Sequence, residues 1–363
     1  MFYFVPMILR PEQKRPARGA TTNAAGRFEP HDREAVSDGW DIDEDLPPLR
    51  TEVRVEAPRK IITRNTSPDI SFDRSVNPYR GCEHGCIYCY ARPTHGYLGL
   101  SAGLDFETRL TAKPDAPARL AKEISAAGYT VAPIAFGTNT DAYQPVEKEW
   151  KIMRGCLEVL RDFRHPLTIA TKGTLIERDI DILGPMAAEG LVQVGVSVTT
   201  LDPKLSRQME PRVPVPARRL AAIRALAEAG IPVRVMASPM IPGLTDHEME
   251  RILEAARDHG ATAASWIMLR LPFEVSGLFR DWLEAEVPLR KDRVMSHIRD
   301  ARGGKDYDAE WGKRMRGEGP YADLMAHRFK VATRRLGLTE SLPDVRCDLF
   351  TVPPRAGDQL SLF

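Results

Sequence analysis

A chain of 363 residues with 43% apolar residues can build one large core, which excludes disorder throughout. Its 51 Lys and Arg nearly balance its 50 Asp and Glu, so any signal for a nucleic-acid or membrane partner has to be local. No apolar run approaches the roughly 20 residues needed to span a bilayer, and the opening MFYFVPMIL, with no basic region before it and RPEQKRPAR after it, makes a poor secretory signal.

Residues 1–60, from about residue 10 rich in Pro, Gly, Arg and acidic residues, show no sustained period of 2 or 3.6 and read as an extended or disordered arm. From Ile61 short β-branched runs alternate with amphipathic stretches. The first strand runs into a cysteine loop at SVNPYRGC, and a helix follows at APARLAKEISAAG. Next come VAPIAFG, the helix VEKEWKIMRGCLEVLRDF, PLTIATK, the helix IERDIDILGPMAAEG and VQVGVSVTT. The helix PARRLAAIRALAEAG leads to PVRVMASPM, the helix DHEMERILEAARDHG leads to AASWIMLRLP, and both helices stop at Gly. Six strands joined by helical crossovers form either a barrel or a doubly wound sheet, and both put the ligand site at the carboxyl ends of the strands. The polar segments gather at those ends: the cysteine loop, Thr138 to Asp141, Thr171 and Lys172, Ser197 to Thr200, and Pro242 with Gly243.

The domain carrying these strands covers 61–275. A helical region, 276–343, follows. From Arg290 to Arg335 it holds 13 Lys and Arg against 7 Asp and Glu, a basic cap for the barrel mouth or a solvated face. An extended tail, 344–363, closes the chain.

Five cysteines are too few for a disulfide framework, and the odd count fits a reducing cytoplasm. Cys156 reads as a buried, unreactive thiol in a helix. Cys82, Cys86 and Cys89 stand as C-x3-C-x2-C, so one short loop can turn three sulfurs to a common centre. Three cysteines on a four-iron cubane leave one iron without a protein ligand. The alternative is a zinc site with His84 or His95 as fourth ligand.

The C-x3-C-x-aromatic-C pattern resembles the signature of the radical S-adenosylmethionine (SAM) superfamily. The longer run NPYRGCEHGCIYCYARPTH, followed by GTNTDAYQPVE, TKG, SVTTLD, EPR and PMIPGLTD, is similar to the branch containing spore photoproduct lyase and proteins labelled DNA repair photolyases. The resemblance covers about residues 61–335. It implies a partial (β/α)6 barrel of the α/β class, and a 4Fe-4S cluster on Cys82, Cys86 and Cys89 whose open iron is chelated by SAM. It also implies reductive cleavage of SAM to a 5′-deoxyadenosyl radical, with an electron donor of the flavodoxin or ferredoxin type. By the same resemblance Tyr88 lies near the adenine, and Asn139, Thr140 and Asp141 near the methionine end of SAM. Lys172 and Ser197 match positions contacting its carboxylate and ribose, while Ile241 and Gly243 lie along the adenine. The family's hydrogen-donating cysteine ahead of Asn139 is replaced by Thr138, a far poorer hydrogen-atom donor, so repair of spore photoproduct by that route is not expected.

With the basic region and the tail described below, the leading reading of the substrate is DNA, in a repair-related reaction, or another nucleic acid. A protein or small-molecule substrate is the second enzymatic reading, and a non-catalytic zinc or Fe-S module recruited to the DNA sliding clamp is the third. The ending Gln359-Leu360-Ser361-Leu362-Phe363 is similar to the peptide by which bacterial repair proteins dock on that clamp, since a Gln with spaced Leu and Phe can fill a preformed apolar pocket. The alternative is that the terminal Leu and Phe pack back on the protein. Replacing Leu362 and Phe363 with Ala is expected to abolish clamp binding in a pull-down; undiminished binding removes the idea.

Overall fold

The computed structural model describes residues 17–28 and 49–354. Ten strands are present among them, in chain order β1 (Glu52–Val55), β2 (Ile62–Arg64), β3 (Arg74–Val76), β4 (Tyr79–Arg80), β5 (Arg109–Ala112), β6 (Ile134–Phe136), β7 (Leu167–Thr171), β8 (Val192–Ser197), β9 (Val233–Met240) and β10 (Ala263–Met268). Seven form one sheet in the order β10-β9-β8-β7-β6-β3-β2. From β3 to β10 every pairing in it is parallel, and β2 adds an antiparallel edge. The six expected strands are therefore the six parallel ones.

Parallel strands need crossovers, and helices supply them. α1 (Leu104–Thr108) follows the cysteine loop and α2 (Ala116–Ile124) precedes β6. α3 (Glu147–Trp150) and α4 (Ile152–Asp162) join β6 to β7, α5 (Ile180–Ala188) joins β7 to β8, and α6 (Pro203–Met209) and α7 (Pro216–Glu228) join β8 to β9. α8 (Met249–Asp258) joins β9 to β10, and α9 (Glu274–Glu286), α10 (Lys291–Asp300) and α11 (Pro320–Leu336) follow. Local chemistry sets several ends. Asp202 caps α6 by accepting from Lys204 N at 2.8 Å and Leu205 N at 3.2 Å, with Pro203 in the first turn. Strand residues such as Phe136, Leu167, Val194 and Val235 are wholly buried against helix residues such as Leu160, Leu183, Ile223 and Leu253, as expected of a sheet covered by its crossovers.

Three expectations change. The segment read as one helix from Val146 to Phe163 breaks at Lys151, whose φ of 52° ends α3 and starts α4. The residues between 300 and 320 form turns rather than helix. The stretch read as an extended or disordered arm is docked where it is described: β1 pairs in parallel with β5, which also pairs with β4 in a second, three-stranded sheet, and Arg18, Gly19 and Ala20 are buried. Such long-range backbone pairing leaves no periodic trace in a short polar segment. Residues 344–354 carry no helix or strand. Arg346 N bonds Gly190 O and Thr351 N bonds Phe163 O, which fixes this segment beside the amino ends of β7 and β8.

Gly137, just past β6, shows how closely the strand ends approach. It holds φ at 76°, and a Cβ there would lie 1.9 Å from Ala170 O of β7. Gly137→Ala is expected to cost roughly 3 kcal/mol or more, combining the left-handed backbone with a backbone clash. Urea unfolding checks this, and a cost under about 1 kcal/mol, the range of an ordinary surface change, would refute the close approach.

Candidate metal centre

Between β4 and α1 the chain makes the cysteine loop, whose backbone polar groups are met partly by its own turns and Arg92 and partly from outside. Gly81 O accepts from Gln144 Nε2 at 3.2 Å, and the same amide's oxygen accepts from Glu83 N at 2.8 Å. Cys82 N donates to Phe106 O, Ile87 N to Met209 O, and Arg212 N to His84 O. Arg92, wholly buried, closes the rest: Nε donates to Cys86 O at 2.9 Å and Nη2 to Gly85 O at 3.1 Å, while Nη1 reaches Ala102 O and Gly103 O. Its charge is met by the buried Glu107 at 2.5 Å.

The docked arm is part of this seat. Glu107 accepts from Gly19 N at 3.0 Å and Ala20 N at 2.9 Å. Gly19 is needed because a Cβ there would lie 1.9 Å from Gly85 O. Arg18 donates to Glu107 O at 3.0 Å. Composition and periodicity did not point to Arg18, Arg92 or Glu107, because a buried ion pair looks in sequence like a surface one.

The donor set fits a cluster. Cys82 and Cys86 are buried and Cys89 partly so, and all three are free thiols. Cys86 is close enough to feel the charge of both Cys82 and Cys89. Burial first, then Glu210, pushes the Cys86 thiol well up, with Lys172 opposing; burial likewise raises Cys89. Ligation to iron is what would ionise such thiols. Among the described residues no three His, Cys, Asp or Glu side chains converge on a point for a single metal ion; a cubane is wider than an ion and takes sulfurs standing apart. Of the two histidines weighed as zinc ligands, His84 bonds both Cys82 and Asp141, and His95 has a backbone partner. His95 Nε2 lies 3.0 Å from Arg109 O, and His84 Nδ1 lies 3.4 Å from Asp141 Oδ2.

The other expected residues sit at the strand ends around the loop. Tyr88 is buried and donates its hydroxyl to Glu210, while Lys172 Nζ stands 5.8 Å from the Tyr88 ring centre. Glu210 is buried with Arg219 at 2.5 Å and accepts from Thr199 Oγ1 at 3.0 Å. The EPR motif contained Glu210, but Arg219 looked like its solvent-facing neighbour Arg218. Asn139 is held through its backbone N by Asn77 Oδ1 at 3.1 Å, and Thr140 gives its hydroxyl to Tyr79 O at 3.0 Å. Asp141 ties two strand ends together, accepting from Thr171 Oγ1 at 2.7 Å, Lys172 N at 2.7 Å and Tyr143 N at 2.9 Å. Ser197 ends β8 and is buried; its carbonyl accepts from Arg219 Nη1 at 3.0 Å. Ile241 packs in one apolar cluster with Cys86, Ile87 and Tyr88. Gly243 lies two residues on with φ at 71°, and a Cβ there would meet His297, Arg293 and Val294 of α10.

Two contacts join the basic region to this end of the barrel. α10 packs on Gly243, and Met268 N bonds Met315 O. Much of its charge is internally met: Arg280 and Arg299 share Asp306, Lys313 holds Glu310, and Arg314 holds Asp69. Cys156 is buried in α4, and Cys347 lies near the amino ends of the strands, so neither reaches the loop. Gln359, Leu360, Leu362 and Phe363 lie outside the described residues. No helix among the described residues is long and apolar enough to cross a membrane.

Residues 76–256 match the Radical SAM superfamily. An uncharacterized protein of Mycobacterium tuberculosis is 38% identical over 221 residues, which are 60% of this chain and 65% of that protein. Another, from Methanocaldococcus jannaschii, is 30% identical over 173 residues, 48% of this chain and 62% of that protein. Alignment with these relatives thus spans somewhat under two thirds of their length. Spore photoproduct lyase complexed with dinucleoside spore photoproduct shares the fold, with a TM-score of 0.54 at 14% identity over 79% of this chain and 81% of that one. A mutant of that lyase with bound AdoMet and the dinucleoside matches at a TM-score of 0.51 and 16% identity over 78% of each chain. This chain belongs to the radical SAM superfamily, whose cofactors are a 4Fe-4S cluster and SAM.

Asp141 has a measurable electrostatic role. Burial works to raise its carboxyl, but the charge of His84 and the bonds from His84, Lys172 N and Thr171 outweigh it and hold the group at about 2, below its ordinary 3.8. A depressed folded value adds stability above the unfolded pKa and loses it as pH falls through the folded one. Asp141→Asn is therefore expected to lower stability by roughly 2 kcal/mol near neutrality and to converge with the parent below about pH 2. Urea titrations of cluster-free protein across pH test this, and a difference independent of pH would count against the charge.

Proposed function

We propose that this chain is a radical SAM enzyme acting on nucleic acid, in a repair-related reaction on DNA. The observation that carries the enzymatic reading is the cysteine loop: three thiols on a backbone pinned by Arg92, Gln144 and Met209, facing strand ends that hold Lys172. Cys82, Cys86 and Cys89 would hold the cluster. Tyr88, Asn139, Thr140, Asp141, Lys172, Ser197, Ile241 and Gly243 would form the SAM pocket. Bound and reduced, the cluster and SAM supply a 5′-deoxyadenosyl radical able to take a hydrogen atom from a substrate C–H bond.

The chain's own residues do the rest. Lys172 lends positive charge to the buried sulfurs, since both Cys86 and Cys89 feel it. Ile87, Tyr88, Met209, Ile241 and Leu244 pack one side of the loop and keep water from it. Thr138 offers no thiol; its hydroxyl is within 3.5 Å of Asn77, so a thiol-based return of hydrogen at that position forms no part of the reaction. An electron donor of the flavodoxin or ferredoxin type would reduce the cluster, and the tail from Gln359 to Phe363 would recruit the sliding clamp. A cytoplasmic location fits the reduced thiols. Nucleic acid is preferred to a protein or small molecule because of the basic segment at the mouth.

Anaerobic reconstitution is expected to give a brown protein with about four irons per chain. After reduction it should release 5′-deoxyadenosine from SAM, faster with DNA than without. A colourless protein holding one zinc, or an iron protein that leaves SAM intact, would overturn the enzyme; equal release with and without DNA would overturn the substrate.

A further inference from the structure

Among the cations at the mouth, Arg270 has an arrangement that its fold neighbours do not explain. It follows β10, and its guanidinium carbon stands 4.7 Å from the ring centre of Tyr90, the residue after Cys89. Tyr90 is 45% exposed and is fixed by donating its hydroxyl to Thr138 O. Arg270 Nη1 meets only the sulfur of Met315, at 3.4 Å, and its Nε is buried without a partner. No carboxylate among the described residues pairs with it. Arg314 nearby differs, being held by both oxygens of Asp69 at 2.7 and 2.5 Å. The buried Arg302, close enough to feel Arg270, spends two nitrogens on the carbonyls of Lys313 and Leu269. Positive charge is thus left over beside the cysteine loop, in a half-buried place where an unmatched guanidinium is costly until an anion meets it.

We infer that Arg270, braced on Tyr90, is a substrate-binding residue that takes a backbone phosphate of a single nucleic-acid strand entering the mouth. The guanidinium fork suits a phosphate's two free oxygens. The exposed rings of Tyr90 and Trp311, the latter 58% exposed in the same basic segment, suit bases rather than acidic side chains. The inference rests on the nucleic-acid reading above, whose substrate it narrows to a phosphodiester strand.

The test is fluorescence anisotropy of the reconstituted holoprotein with a labelled oligothymidylate of about 15 nucleotides, over a salt series. Arg270→Ala is expected to weaken binding about tenfold and to reduce the salt slope by about one ion. Arg270→Lys should keep the slope while losing part of the affinity, and Lys330→Ala on the exposed face of α11 should change neither. Iron content and circular dichroism show that each variant is folded; should Arg270→Ala not fold, Arg270→Gln replaces it. Wild-type affinity and slope in the Ala or Gln variant would overturn the proposal. So would binding of an acidic peptide, but not the oligonucleotide, in an Arg270-dependent way. SAM cleavage measured on the same preparations separates the two readings. Cleavage without Arg270-dependent binding defeats this inference alone, whereas Arg270-dependent binding without cleavage defeats the radical reading and leaves this one standing.

Discussion

All five N–H groups of Arg92 point at oxygens: the carbonyls of Gly85, Cys86, Ala102 and Gly103, and the carboxylate of Glu107. A wholly buried guanidinium is tolerated only when each donor and the charge itself are matched, and here both conditions are met. The planar fork fixes the carbonyls of residues 85 and 86 relative to those of 102 and 103, so the loop cannot open without exposing an unpaired charge in the interior. Glu107, neutralising Arg92, also receives the backbone of Gly19 and Ala20. One ion pair therefore joins the arm, the cysteine loop and α1 into a single rigid seat.

A second buried pair, Glu210 with Arg219, does similar work on the opposite side. It receives the hydroxyls of Tyr88 and Thr199 and anchors the turn whose Met209 carbonyl holds Ile87. The loop is thus gripped between two charged pairs, while Asp141 binds the ends of the two neighbouring strands. The sheet contributes shape and the ion pairs contribute precision, as a preorganised site requires.

How far this was legible varies by element. The strands from β6 to β10 announce themselves, because buried parallel strands are short β-branched runs and the intervening helices end at glycines. The three cysteines are legible through their spacing. The small sheet of β1, β5 and β4 is not, since its pairings join distant segments with no local pattern. Lys151 looks like any helical lysine, yet it breaks the helix after Trp150. Arg218 and Arg219 are adjacent and chemically identical, but the first pairs with Glu177 in solvent and the second is buried whole. Which of two arginines turns inward is decided by packing in three dimensions, which no one-dimensional pattern records. Arg270 escaped notice for the same reason: its meaning lies in the partner it lacks.

The two described ends of the chain leave from opposite poles. Residues from Ala17 onward lie directly against the cysteine loop, whereas the segment around Thr351 packs on Phe163 beside the amino ends of the strands. A fluorophore attached on the described segment beside Thr351 therefore leaves the mouth clear. The same label on the described segment beside Gly19 crowds the seat of the cysteines, and this asymmetry should guide where the protein is labelled.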